Sequence, residues 1–173
     1  MENIFIIISS VIVIILNVYL GIFVLLKNRS IKIKTSFLFL TLSVSFWVFT
    51  ILMSWIPIGN KYLDFWSNAT FFGPSVLVAA LLYFSFVFPK EVKNKYKVPL
   101  LSLCAVSLVT VILLAIYQKI NIKTYNPWTM ERGYGINVFI GYFLVFSSFS
   151  FFNLIKSHRI SRGIERIQIK FVF

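Results

Sequence analysis

Charge is what this 173-residue chain has least of: only 13% of its side chains carry one, and 59% are hydrophobic. An average soluble domain is about 25% charged, so a chain this apolar cannot surround itself with a polar layer, and a soluble globular domain is excluded. A single cysteine removes a disulfide scaffold and any four-cysteine metal site, and leaves the redox compartment undetermined. With 7 glycines and 5 prolines, neither a collagen-like fibre nor a disordered chain fits. What the composition leaves is a membrane protein.

Five segments lack any Asp, Glu, Lys, Arg or His: Ile4–Leu26, Thr35–Ile56, Ala69–Phe88, Val98–Tyr117 and Ile136–Ile155. Each reaches the roughly 20 residues a helix needs to cross about 30 Å of hydrocarbon. Strands of a membrane barrel would run about 10 residues with alternating polarity, and no segment alternates so. The expected fold is an all-α, polytopic helical bundle forming one membrane domain over 1–173. Short polar connections join its spans: Lys27–Lys34, Pro57–Asn68, Pro89–Lys97 and Gln118–Gly135, with a basic tail from Lys156.

The net charge of +12 resembles a nucleic-acid signal until its placement is considered. The first and third connections and the tail hold four, four and five of the 17 Lys and Arg, while nothing basic precedes the first span. This alternation is that of positive-inside loops, so the N-terminus is expected outside and the tail in the cytoplasm of a plasma-membrane protein, with no nucleic-acid partner. Basic loops beside a cytoplasmic leaflet also attract anionic lipid, by about 1 kcal/mol per Lys or Arg. The start, Met1-Glu2-Asn3, is acidic where a signal peptide is basic, and the first apolar run is too long for one, so it reads as a retained span. After the basic stretch to Arg166, the chain turns apolar again at Ile167-Gln168-Ile169. A sixth helix is therefore expected to begin near 167, and the chain reads as part of a longer protein.

No ionisable residue lies in any of the five segments, which argues against a proton-coupled pump or a carboxylate-lined cation channel. What polarity remains has helical spacing: Ser10, Asn17 and Gly21 in the first span; Ser36, Ser43, Thr50 and Ser54, beside Trp47, in the second; Asn137, Gly141 and Ser148 in the fifth. Such stripes can line a ligand cavity, but packing alone already needs small and hydroxyl residues where helices approach, so seams are the preferred reading. Trp55, Tyr62, Trp66, Tyr117, Tyr125 and Trp128 cluster at outer helix ends, the place of an interfacial aromatic belt. Gly73-Pro74 falls one turn into the third span, where proline can kink a helix.

Chemistry is sparse. His158, the only histidine, lies in an expected loop among Lys156, Arg159 and Arg162 with no carboxylate near it to form a relay. Cys104 falls inside the fourth span, where a thiol acts as a small hydrophobe. Asn68-Ala69-Thr70 matches a glycosylation sequon but abuts a span. There is no phosphate loop, metal motif or nucleophile elbow. No catalytic, cofactor or metal residue can be assigned, no cofactor is implied, and an enzyme active site is not expected.

Several stretches together resemble the N-terminal seven-helix membrane region of bacterial sensor histidine kinases. They are Asn17-Val18-Tyr19-Leu20-Gly21-Ile22-Phe23, Phe37 through Trp47, Gly73-Pro74, Phe84-Ser85-Phe86-Val87-Phe88-Pro89 and Arg166-Ile167-Gln168. The resemblance implies a sensory input module with its N-terminus outside, whose last helix leads to a cytoplasmic output domain, a kinase or at times a diguanylate cyclase. It carries no binding residue over to a position in this chain, and His158 is not the phospho-accepting histidine. The expected function is thus a membrane sensory domain relaying to an output domain on the same or another chain, with the bilayer and a homodimer as further partners. The alternatives are a small or truncated transporter or permease subunit, and a membrane scaffold subunit.

Overall fold

The computed structural model describes residues 2–27, 30–56, 60–88, 96–117, 119–126 and 129–160. In chain order these form α1 (Glu2–Leu25), α2 (Ile31–Trp55), α3 (Asn60–Ala69), α4 (Phe72–Val87), α5 (Lys97–Ile116), β1 (Asn121–Asn126), β2 (Thr129–Arg132) and α6 (Gly135–Ile160). Among the described residues five stretches are long and apolar enough to cross a membrane: Ile4–Leu25, Ile31–Trp55, Asp64–Val87, Lys97–Ile116 and Gly135–Ser157. The all-α polytopic bundle expected from the sequence is what the chain forms, with one short hairpin added in a connection. The expected start of a sixth helix near 167 lies outside the described residues.

Proline sets several boundaries. A residue before proline is pushed out of the helical region, since the proline ring crowds its backbone. Ile56, before Pro57, leaves α2 with φ −78° and ψ 127°, and Phe88, before Pro89, leaves α4 with φ −100° and ψ 140°. Pro74 acts differently. It has no N–H for the Thr70 carbonyl four residues back, and its ring crowds that carbonyl. The helix breaks at Thr70–Phe71, dividing the third span into α3 and α4. The break stays hydrogen-bonded: the amides of Thr70, Phe71 and Ser75 donate to the carbonyls of Trp66, Asn68 and Phe71. At 16 residues α4 is about 24 Å long, short of the hydrocarbon thickness, and the end of α3 completes the crossing.

Two expected connections contain structure of their own. The stretch Pro57–Asn68 holds most of α3, and Gln118–Gly135 folds into an antiparallel hairpin with Asn121 opposite Arg132 and Asn126 opposite Thr129. The Gly133 amide donates to the Ile120 carbonyl and the Gly135 amide to that of Lys119, closing the hairpin's base over the fully buried Ile120. β1 packs on α3, so helix and hairpin together cap one end of the bundle. α6 runs on to Ile160, which places His158 in a helix where a loop was expected.

Packing centres on α4. α2 lies against one side of it and carries α1 on its own far side; α5 and α6 lie against the other. α2 and α4 are antiparallel, with Gly73 at Trp47 near one end and the Phe37 and Phe84 rings 6.1 Å apart near the other. The main apolar core joins Val78, Leu82 and Phe86 of α4, Cys104, Val111 and Ala115 of α5, and Tyr142 and Phe146 of α6. α1 exposes Ile4, Phe5, Ile8, Ile12, Ile15 and Leu16, as a lipid-facing helix must.

Candidate functional site

The polar stripes separate into two kinds once placed in the bundle. Ser10 and Gly21 of α1 are buried, and Asn17, half-buried between them, donates to its own helix at the Val13 carbonyl, 2.9 Å. Ser36, Ser43, Thr50 and Ser54 of α2 are all buried, as are Thr41 and Ser45 on neighbouring positions. Each of these hydroxyls donates to a carbonyl three or four residues back, at 2.7 to 3.0 Å. They are satisfied within their helix, and their small size serves close approach. A Cβ on Gly21 would lie 2.8 Å from Leu38 and against the Thr41 hydroxyl; one on Gly73 would lie against the Trp47 backbone.

The third stripe is different. Asn137, Gly141 and Ser148 are all exposed, and a Cβ on Gly141 would meet nothing within 4 Å. They form neither seam nor cavity among the described residues. The face of α6 that turns inward carries Tyr142, Phe146, Ser150, Leu154 and Ser157.

On that face the helices exchange polar contacts. The Tyr142 hydroxyl donates to the Ser75 carbonyl of α4 at 2.8 Å and lies 3.7 Å from the Cys104 sulfur of α5. With its proton given to Ser75, the phenol oxygen is left to accept from the thiol, so one hydroxyl ties three helices together. Further along, the Asn153 amide nitrogen lies 3.4 Å from the Ser85 hydroxyl. The Phe71 and Phe139 rings meet edge to face at 5.0 Å beyond the other end of the same seam. The two polar contacts link residues 67 and 68 positions apart, so α4 and α6 run parallel in one constant register.

The other singled-out residues divide simply. Trp66 packs edge-on against Phe49 at 6.1 Å and Phe65 at 5.2 Å, and Tyr62 and Tyr117 are exposed at helix ends, as interfacial rings are. Trp128 lies outside the described residues. Cys104 is a core residue. Asn68 of the sequon is only 2% exposed, and its side chain donates to the Asp64 carbonyl, so the folded chain does not present it to a glycosylating enzyme. Among the described residues no three of His, Cys, Asp and Glu gather as a metal group would. Tyr142 and Asn153 escaped the sequence reading. The signal for Tyr142 is a ridge at four-residue steps, 142, 146, 150 and 154, which the more visible stripe of small residues on the same helix obscures; Asn153 lies beside that ridge and has no such signal.

Long apolar helices packed through small-residue seams define a multi-pass membrane protein with no constellation for catalysis in the described part. The family model for the N-terminal 7TM region of histidine kinase matches residues 6–173, and the chain belongs to that family. The matched region is a membrane sensory region, not the catalytic part of such a kinase. No curated protein and no solved structure matches the chain.

Proposed function

We propose that this chain is the input module of a membrane sensor, set in the plasma membrane with its N-terminus outside and its basic connections in the cytoplasm. It relays a stimulus through α6 to a cytoplasmic output domain on the same or another chain, and works as a homodimer. The observation that carries the reading is the family match across residues 6–173. The alternation of basic connections supports the orientation, since Lys and Arg accumulate on the cytoplasmic side. A signal requires a stimulus that binds or favours one helix arrangement over another, because equal affinity for both shifts nothing. The test fuses the chain to a histidine kinase core in membrane vesicles. Substitutions in the α4–α6 seam should change the autophosphorylation rate, and a rate indifferent to every one of them sinks the idea.

A transporter or permease subunit is the second reading, favoured by the broken span of α3 and α4, since interrupted helices hold substrate and ion sites in many transporters. Against it stand the five segments without an ionisable residue. Solute flux across proteoliposomes holding the purified chain would decide for this alternative.

A further inference from the structure

The helix seams of this bundle are held in two ways. The buried hydroxyls of Thr41, Ser43 and Thr50 in α2 bond their own helix, so α1 or α4 can slide past them without breaking those bonds. The α4–α6 seam is crossed by the Tyr142–Ser75 hydrogen bond and the longer Asn153–Ser85 contact, so it has a preferred register. A shift of α6 by one residue moves it about 1.5 Å along its axis, enough to stretch a 2.8 Å bond lying across that axis to the edge of hydrogen-bonding range.

The position of the stronger bond is informative. Ser75 directly follows Pro74 and lies in the first turn of α4, beside the break at Thr70–Phe71. On the other side of that break α3 packs against β1 in the cap. Movement of the cap about the break therefore acts on the first turn of α4, where the Ser75 carbonyl lies. Tyr142 is the side chain that holds this carbonyl, and it belongs to the helix that carries the chain onward from the described bundle.

We propose that the Tyr142 hydroxyl is a conformational latch. Bonded to the Ser75 carbonyl, it holds α6 in register with α4 and α5; displacement of the cap releases it and frees α6 to shift. The signalling role of the latch rests on the sensory reading above, whereas its existence is measured in the chain alone.

The chain supplies its own reporter, for Cys104 is its one cysteine, 2% exposed and 3.7 Å from the Tyr142 oxygen. The experiment measures alkylation of Cys104 by N-ethylmaleimide in the full chain in lipid vesicles. Tyr142→Phe keeps the ring and removes only the hydroxyl. It should raise the labelling rate roughly 3- to 18-fold, which is an interhelical bond of about 0.6–1.7 kcal/mol converted at RT, when opening is fast relative to labelling. A control separates release of the latch from general loosening: Thr41→Cys in a Cys104→Ala background places a buried thiol in the α1–α2 seam. There, Tyr142→Phe should leave labelling unchanged. A second variant, Asn153→Ala, cuts the other contact but spares the latch, and Cys104 labelling should stay within about twofold of wild type. Unchanged Cys104 labelling in Tyr142→Phe, an equal rise at the Thr41→Cys control, or a comparable rise in Asn153→Ala each overturns the latch. None of these results bears on whether the chain is a sensor, while solute flux would overturn the sensory role and leave the labelling result standing.

Discussion

Gly73 shows how much of this bundle depends on what a residue leaves out. A methyl group there would lie 2.9 Å from the Trp47 amide nitrogen and nearer still to its Cα, and backbone cannot swing aside as a side-chain tip can. α2 and α4 would have to separate, losing contact along their whole seam. Gly73→Ala should therefore destabilise the chain by about 1–3 kcal/mol, the ordinary penalty of overpacking, read as a lowered midpoint of thermal unfolding in detergent. Gly141→Ala is the matched control: nothing lies within 4 Å, so the change should cause no loss and gain at most about 1 kcal/mol from the better helix propensity of alanine. Equal losses from the two would refute the packing account. At this scale the sequence was readable where a residue type has one use. Small and hydroxyl residues repeated along α1 and α2 mark seams, because close approach demands them. The same pattern in α6 misleads, because lipid tolerates an exposed Gly141 or Ser148 as readily as a seam needs one. Tyr142 was hidden for the opposite reason: among 20 phenylalanines, one extra hydroxyl hardly alters the hydropathy by which spans are recognised.

Among the elements, the most consequential is the divided third span. Its kink was legible, because Pro74 removes the donor to Thr70 whatever surrounds it. What hydropathy could not show was that helix resumes on the other side of the break. Lys61 and Asp64 make Asn60–Ala69 resemble a connection, yet Tyr62, Phe65, Trp66 and Ala69 recur at helical spacing and give it one apolar face. The hairpin had no such signature. Asn126 pairs with Thr129 with no Asn-Gly or Asp-Gly between them, and neither strand alternates cleanly in polarity, so the usual signals for a tight turn and a half-buried strand are missing. If proline causes the break, Pro74→Ala should mend it by supplying the Thr70 carbonyl with its donor. Amide hydrogen exchange over residues 70–75 should then slow at least about tenfold. That equals about 1.4 kcal/mol, less than half of the roughly 3 kcal/mol a proline costs inside a helix. Unchanged exchange would assign the break to the packing of α3 on β1.

For the molecule as a whole, the arrangement of helices and the placement of charge bear on one question, which end faces the cell interior. Because α1, α4 and α6 run one way and α2 and α5 the other, the cap of α3 and the hairpin lies at the end opposite the basic connections around Lys27–Lys34 and before α5. On the proposed orientation, the eight basic residues in those two connections, against four in the two that hold the cap, place the cap outside. Alkaline phosphatase, active only outside the cytoplasm, should be active when fused within the hairpin and inactive when fused after Ile160. Green fluorescent protein should give the reverse. The charge argument has its own test. Replacing Lys27, Arg29, Lys32 and Lys34 together by Ala leaves the first connection with no basic residue to hold it in the cytoplasm. The α1–α2 pair should then insert in both senses, giving mixed reporter activity for fusions at the N-terminus, while fusions after Ile160 keep theirs because the third connection and the tail retain their charge. If all four substitutions leave every reporter unchanged, the orientation is fixed by the later helices and not by the first. A hairpin fusion inactive in the wild-type chain would invert the whole arrangement, placing the cap in the cytoplasm and α6 running outward.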